Sequence, residues 1–158
     1  MLMRDEYAFL SNFYNVPISI VLAGETYTFR NTEAAFQAQK NYSRAKEFEL
    51  LTASEAKKLG KSVEITTEDW DHNRLFAMAR VLHAKFKSED LMAKLKNVTE
   101  EIVEDNYWND TFWGVCTNRK YDHVGKNMLG KMLMNIRDNN NDLNCLLKLI
   151  LDELIDNV

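Results

Sequence analysis

Apolar positions alternate once near the start of the chain and then settle into helical spacing. Ile18, Ile20 and Leu22 alternate with other residues, Ala23-Gly24-Glu25 follows, and Thr26 to Phe29 resumes a β-branched and aromatic run. That pattern predicts a hairpin with a glycine-containing turn. Asn31-Thr32-Glu33 supplies a cap residue and a first-turn acid, so a helix is expected from there to about Tyr42. A second short helix is expected over Ala45–Leu51, and a third is capped by Ser54 and closed by Gly60. Thr66 or Thr67 caps the longest helix, whose stripe of Leu75, Met78/Ala79, Leu82 and Phe86 has helical spacing. Ser88-Glu89-Asp90 starts another helix that ends on Lys94 and Lys96. Ile102-Val103 suggests a short strand, and Asn106 to Gly125 is aromatic, polar and irregular. A helix follows from about Asn127 to Arg137, and Leu143, Leu147, Ile150/Leu151 and Leu154 line one face of the last. The expected fold class is α+β, a helix-rich single domain with a small antiparallel sheet.

Composition narrows the function classes. The 158 residues are 46% hydrophobic and 28% charged, enough apolar material for one packed domain. The net charge of −4 disfavours a protein that holds polyanions by bulk electrostatics. The deficit is local. From Asp138 to Val158 there are five acids and one base, so the preceding 137 residues carry 19 of each sign. A basic pocket in the neutral body therefore stays open. Cys116 and Cys145 show no paired spacing, and reduced thiols in a cytoplasmic protein are expected. His72, His83 and His123 fit no zinc spacing with them, so no metal and no cofactor are expected. No apolar run approaches the ~20 residues that span a membrane, and no membrane partner is expected.

Three places hold polar residues that sit oddly in a plain scaffold. Glu33, Gln37 and Lys40 fall at i, i+4 and i+7 and share a helix face, with Phe36 beside them and Ala34, Ala35 and Ala38 around them. The face is either a solvated stripe or a carboxylate, an amide and an amine turned into one cleft. Trp70, inside the start of the long helix, is either a packing residue or a stacking platform for a base or sugar. In Tyr107-Trp108-Asn109-Asp110-Thr111-Phe112-Trp113-Gly114, four aromatics surround an amide and a carboxylate. A carboxylate that loses water among aromatics suits acid–base work, although an Asn-Asp turn between core aromatics fits the same residues. Gly125-Lys126-Asn127-Met128-Leu129-Gly130 then opens a helix, where backbone N–H groups favour phosphate.

Phe9-Leu10-Ser11-Asn12-Phe13-Tyr14, the run Asn31 to Lys40, Trp70, Asn109 to Gly114 and the run Gly125 to Arg137 occur in this order. Together they resemble the NADAR family, also called YbiA-like. The resemblance implies an N-glycosidase domain over residues 1–137, with 138–158 an acidic helical extension packing on it. It implies cleavage of the bond between a ribose C1 and a nitrogen. One branch of the family removes ADP-ribose from modified guanine, and another acts on phosphoribosylaminopyrimidine intermediates of riboflavin biosynthesis. The catalytic positions of the family fall on Glu33, Lys40, Trp70 and Asp110. Asn12, Phe13, Gln37, Asn109, Trp113, Asn127 and Gly130 match positions that line or shape the pocket. Lys126 is the expected phosphate donor, with Arg4, Arg30 or Arg119 in support. Lys40 permits a second route, a Schiff base at C1 of an opened ribose. The loop Val115 to Val124 is longer and less glycine-rich than the family pattern, and Ala34 stands where many members have His. Both departures bear on substrate identity. Arg119, Lys120 and His123 in that loop incline the expectation toward ADP-ribosyl removal from a base presented on nucleic acid. A non-catalytic module for ADP-ribose or a related nucleotide is the competing class. The apolar face Leu143–Ile155 leaves open a monomer or a weak homodimer.

Overall fold

The hairpin is antiparallel, β1 (Asn15–Leu22) on β2 (Glu25–Asn31), with Leu22 opposite Glu25 across the turn. The computed structural model describes residues 2–118, 120 and 123–156. Alternation decides the buried face: Ile18, Ile20, Leu22 and Phe29 turn inward, and their neighbours face solvent. Two turns of 3₁₀ helix over Asp5–Leu10 precede the hairpin and bury Phe9 and Leu10.

β2 runs directly into α1 (Thr32–Gln37), whose Asn31 cap accepts the Ala34 N–H at 2.7 Å. The α-helix is shorter than the expected run to Tyr42. At Ala38–Lys40 the chain tightens into a 3₁₀ turn, and Tyr42–Phe48 is 3₁₀ as well. α2 (Ala53–Ser62) is capped by Thr52 rather than Ser54, through a reciprocal capping box with Glu55. Gly60 lies inside this helix and does not close it. α3 (Trp70–Lys85) starts at Asp69, later than Thr66 or Thr67 suggested. α4 (Glu89–Lys96) has the expected Ser88 cap.

Ile102 and Val103 form no strand. A two-residue parallel pair, β3 (Asp105–Asn106) and β4 (Val115–Cys116), forms just beyond them. α5 (Met128–Asp138) and α6 (Leu143–Asp156) complete the chain. The fold is α+β, with the expected small antiparallel sheet. The core is one cluster between the hairpin, α1, α3 and α5, including Phe29, Phe48, Phe86, Leu82, Met128 and Met132. α6 packs on α3 and α5 through Leu146 and Ile150. Among the described residues, no helix is long and apolar enough to cross a membrane.

Candidate active site

A cavity of about 430 Å³ opens where α1, α2, the Ser11–Phe13 segment and the chain from Glu104 to Trp113 meet. Glu33 and Gln37 face it from α1, Asn12 and Phe13 from the rim, Lys57 from α2, and Glu104, Trp108, Asp110 and Trp113 from the opposite wall. Phe36 and Trp113 form an aromatic corner, with ring centroids 5.6 Å apart and planes at 82°.

Glu33 is buried, and its Oε1 accepts the Gln37 Nε2–H at 2.8 Å. Burial raises its pKa, and the negative charge of Asp110 adds to that. The Gln37 hydrogen bond and the positive charges of Lys57 and Lys40 act in the opposite direction.

Asp110 sits in a turn that holds it from both sides. Asn106 accepts the Asp110 N–H at 3.1 Å and donates to the Asp110 carbonyl at 2.8 Å. Asp110 Oδ1 accepts the backbone N–H groups of Phe112 (3.0 Å) and Trp113 (2.9 Å). One carboxyl oxygen thus fixes the loop, and the other has no protein donor among the described residues.

Two cavity groups were not singled out from the sequence. Glu104 is held through its backbone, its N–H on Asn127 Oδ1 at 3.0 Å and its carbonyl accepting from Val115 N at 2.8 Å. Burial, then the negative charges of Asp110 and Glu33, push its carboxyl up to about 7, against the opposing charge of Lys57. Lys57 Nζ lies 5.1 Å from the Trp108 ring centroid and 5.9 Å from that of Phe13. It is the one cation among the residues lining the cavity.

The predicted residues divide into two groups. Asn12, Phe13, Glu33, Gln37, Asp110 and Trp113 come together on the cavity. The others stand elsewhere. The 3₁₀ turn brings Lys40 into line with Gln37, three residues back, because side chains at i and i+3 eclipse there. Lys40 Nζ donates to the Gly60 carbonyl at 2.8 Å and does not line the cavity. Burial lowers its pKa, and Glu33 opposes that shift. Trp70 packs against Phe36, centroids 5.5 Å apart, and lines a second pocket of about 280 Å³ with Tyr42 and Arg80.

Asn109 is exposed and takes a positive φ of 71°, with its amide oxygen on Asn118 Nδ2. Lys126 does not line the cavity and pairs with Glu153 of α6 at 2.8 Å. Asn127 is a buried clamp: besides holding Glu104, its Nδ2 donates to the Ile102 carbonyl at 2.9 Å. Gly130 lets α5 approach that segment, since a Cβ there would stand 2.2 Å from the Ile102 carbonyl oxygen. Asn127 and Gly130 shape the wall from behind it. Arg4 lies near Asp5 and Arg30 donates to the Leu50 carbonyl, neither on the cavity. Arg119 lies outside the described residues. Among the described residues, no group of three or more His, Cys, Asp or Glu side chains is placed to hold a metal ion.

The fold and the cavity define a small α+β domain with acidic side chains gathered between aromatic walls. The chain belongs to the NADAR family, whose domain model matches residues 2–139. It is similar to the E. coli protein YbiA, solved by NMR, at 27% identity over 88% of this chain and 83% of that one, with a TM-score of 0.69. No curated protein matches it. The family is generally associated with N-glycosidase activity.

Proposed function

We propose that the protein hydrolyses the C1–N bond of an N-ribosylated base or nucleotide and that its substrate is ADP-ribosylated guanine. The observation that carries this reading is the convergence of Asp110 and Glu33 on one cavity walled by Phe36, Trp108 and Trp113. Breaking the bond leaves C1 electron-poor, and a carboxylate held near it stabilises that charge and takes a proton from the attacking water. Asp110 fills this role: its loop is fixed through Oδ1, and its other oxygen is left for the reaction. Glu33, steadied by Gln37, holds the ribose hydroxyls. The aromatic corner takes the base or sugar face. Lys57 takes the phosphate role expected of Lys126, because Lys57 lines the cavity and Lys126 is paired with Glu153.

Direct attack by water is the favoured course. Covalent capture requires Lys40 to leave the Gly60 carbonyl and enter the cavity. Borohydride added during turnover tests this, and an adduct at Lys40 overturns the direct course.

The deciding assay offers ADP-ribosylated guanine and a phosphoribosylaminopyrimidine side by side. Release of free ADP-ribose from the first supports the proposal. Cleavage of the second alone moves the assignment to riboflavin intermediates. Calorimetric binding of ADP-ribose without turnover, unchanged by Asp110→Asn, identifies a binding module instead.

The free thiols Cys116 and Cys145 support a reducing compartment such as the cytoplasm. Leu151 and Ile155 are exposed on α6, which supports weak self-association there. Sedimentation of a chain truncated after Asn141 tests it.

A further inference from the structure

Three carboxyl groups face the cavity, and their hydrogen bonds differ. Glu33 accepts from a side-chain amide, and Asp110 accepts from two backbone N–H groups. Glu104 accepts from none of the described residues, and its Oε2 is sealed from solvent. A buried carboxylate without a donor is costly, whereas a carboxylic acid carries no charge and needs only an acceptor for its O–H. A substrate nitrogen is such an acceptor. The Glu104 backbone is fixed at both its N–H and its carbonyl, so the carboxyl has a defined place to act from.

We propose that Glu104 is the catalytic acid of this cavity, the group that protonates the nitrogen leaving C1. The assignment rests on the N-glycosidase reading and deepens it. The step balances as follows: the C1–N bond breaks with its electron pair going to nitrogen, and nitrogen takes the Glu104 proton. Water adds its oxygen to C1 and gives a proton to Asp110. Loss of that proton to solvent and reprotonation of Glu104 restore the site. Two carboxyls in one cavity thus divide the work through their different surroundings, the donor-free one as acid and the donor-held one as base.

The groups facing Glu104 set the pH range in which it serves. Burial above all, then Asp110 and Glu33, keep its proton on, Lys57 draws it off, and the balance lies at about 7. Activity should therefore fall as pH rises through neutrality, because the acid form disappears.

The experiment measures kcat/KM against pH for the full chain and for Glu104→Gln, on ADP-ribosylated guanine and on a phosphoribosylaminopyrimidine. Expected is a loss of about 10²–10⁴-fold in Glu104→Gln, with the alkaline limb of the profile abolished. If the wild type cleaves a substrate and Glu104→Gln keeps kcat/KM within threefold, or keeps the alkaline limb, the acid assignment is wrong and the N-glycosidase reading stands. If the wild type cleaves neither substrate, that reading fails and takes the assignment with it. Should Glu104→Gln not fold, Glu104→Asp decides. It keeps an acid but withdraws it by one methylene, so a lower rate with a displaced alkaline limb supports the proposal and an unchanged profile overturns it.

Discussion

Gly60 approaches Gln37 so closely that a Cβ on residue 60 would stand 2.0 Å from Gln37 Oε1. The same glycine offers its carbonyl to Lys40. One turn of α2 therefore receives Gln37, the last residue of α1, and Lys40 of the 3₁₀ turn after it, and Gln37 in turn steadies Glu33. In Gly60→Ala a helix gains about 1 kcal/mol of propensity, while overpacking costs about 1–3 kcal/mol. The expected net effect is a loss of up to about 2 kcal/mol, with activity lowered at least tenfold as Gln37 swings away from Glu33. Denaturant unfolding of Gly60→Ala, Gln37→Ala and the double variant checks the cause. If the collision is with Gln37, Gln37→Ala costs less in the Gly60→Ala background than alone. Additive losses would sink the argument.

Asp110 separates a structural from a chemical contribution within one side chain. Asp110→Asn keeps an oxygen to accept the Phe112 and Trp113 N–H groups but removes the charge. It should fold with wild-type stability and lose about 10²-fold or more in kcat. Asp110→Ala removes the acceptor as well and leaves two backbone donors unanswered, at about 1–3 kcal/mol if both stay dry. Melting both variants beside the activity assay is decisive. Equal stability of the two would show that the turn does not depend on Oδ1.

Local signals carried much of this architecture. The alternation of Ile18, Ile20 and Leu22 and the Ser88 cap each act within a few residues, and both appear as expected. Glu33, Gln37, Asp110 and Trp113 were legible because they occur in ordered motifs that resemble a family. Glu104 was not. It lies in Glu100-Glu101-Ile102-Val103-Glu104-Asp105, where an acid reads as one more solvated charge. Its burial depends on Asn127, 23 residues later, drawing that segment against α5. Lys57 was equally silent beside Lys58, since only the tertiary fold distinguishes the lysine over Trp108 from its neighbour. Lys126 shows the converse: the Glu153 it pairs with is 27 residues away, so the sequence around it does not announce the ion pair. Lys40 is held by the Gly60 carbonyl of α2, a partner 20 residues away that an alanine-rich helical pattern does not announce.

Lys57 should govern binding rather than chemistry. Its ammonium stands over Trp108 at the cavity, remote in role from the carboxyls that handle protons. Lys57→Ala is expected to raise KM for a phosphate-bearing substrate about tenfold and to change kcat little, apart from the small effect of its charge on Glu33 and Glu104. The wild-type KM should rise with salt, and the variant's should do so less, because the screened interaction is gone. A tenfold fall in kcat at unchanged KM would remove Lys57 from this role.

Stability should pass through a minimum near neutral pH. Glu104 keeps its proton to about 7 when folded and to its ordinary 4.5 when unfolded. Between these values the native state binds more protons, so stability is complete below pH 4.5 and is lost as pH rises to 7. Glu33, also raised by burial, acts with the same sign. Lys85 acts on the other side. Only 2% exposed, with Nζ on the Ser11 carbonyl at 3.0 Å, it loses its proton at about 7 rather than 10.5. From pH 7 to 10.5 the unfolded chain binds the additional proton, so stability rises with pH there. Lys40, lowered by burial, adds to that rise. Glu47 and Glu55, held low by Arg44 and Thr52, make themselves felt only in acid below this range. Urea unfolding at pH 5, 7 and 9.5 checks the shape. Glu104→Gln should flatten the acid side, a change on the order of 3 kcal/mol between pH 4.5 and 7. Lys85→Met should flatten the alkaline side and raise stability at pH 6, since it removes a buried charge and gives up a single hydrogen bond of about 1 kcal/mol. A curve that rises steadily from pH 5 to 7, or one indifferent to both substitutions, would mean that neither group holds its proton as the buried geometry requires.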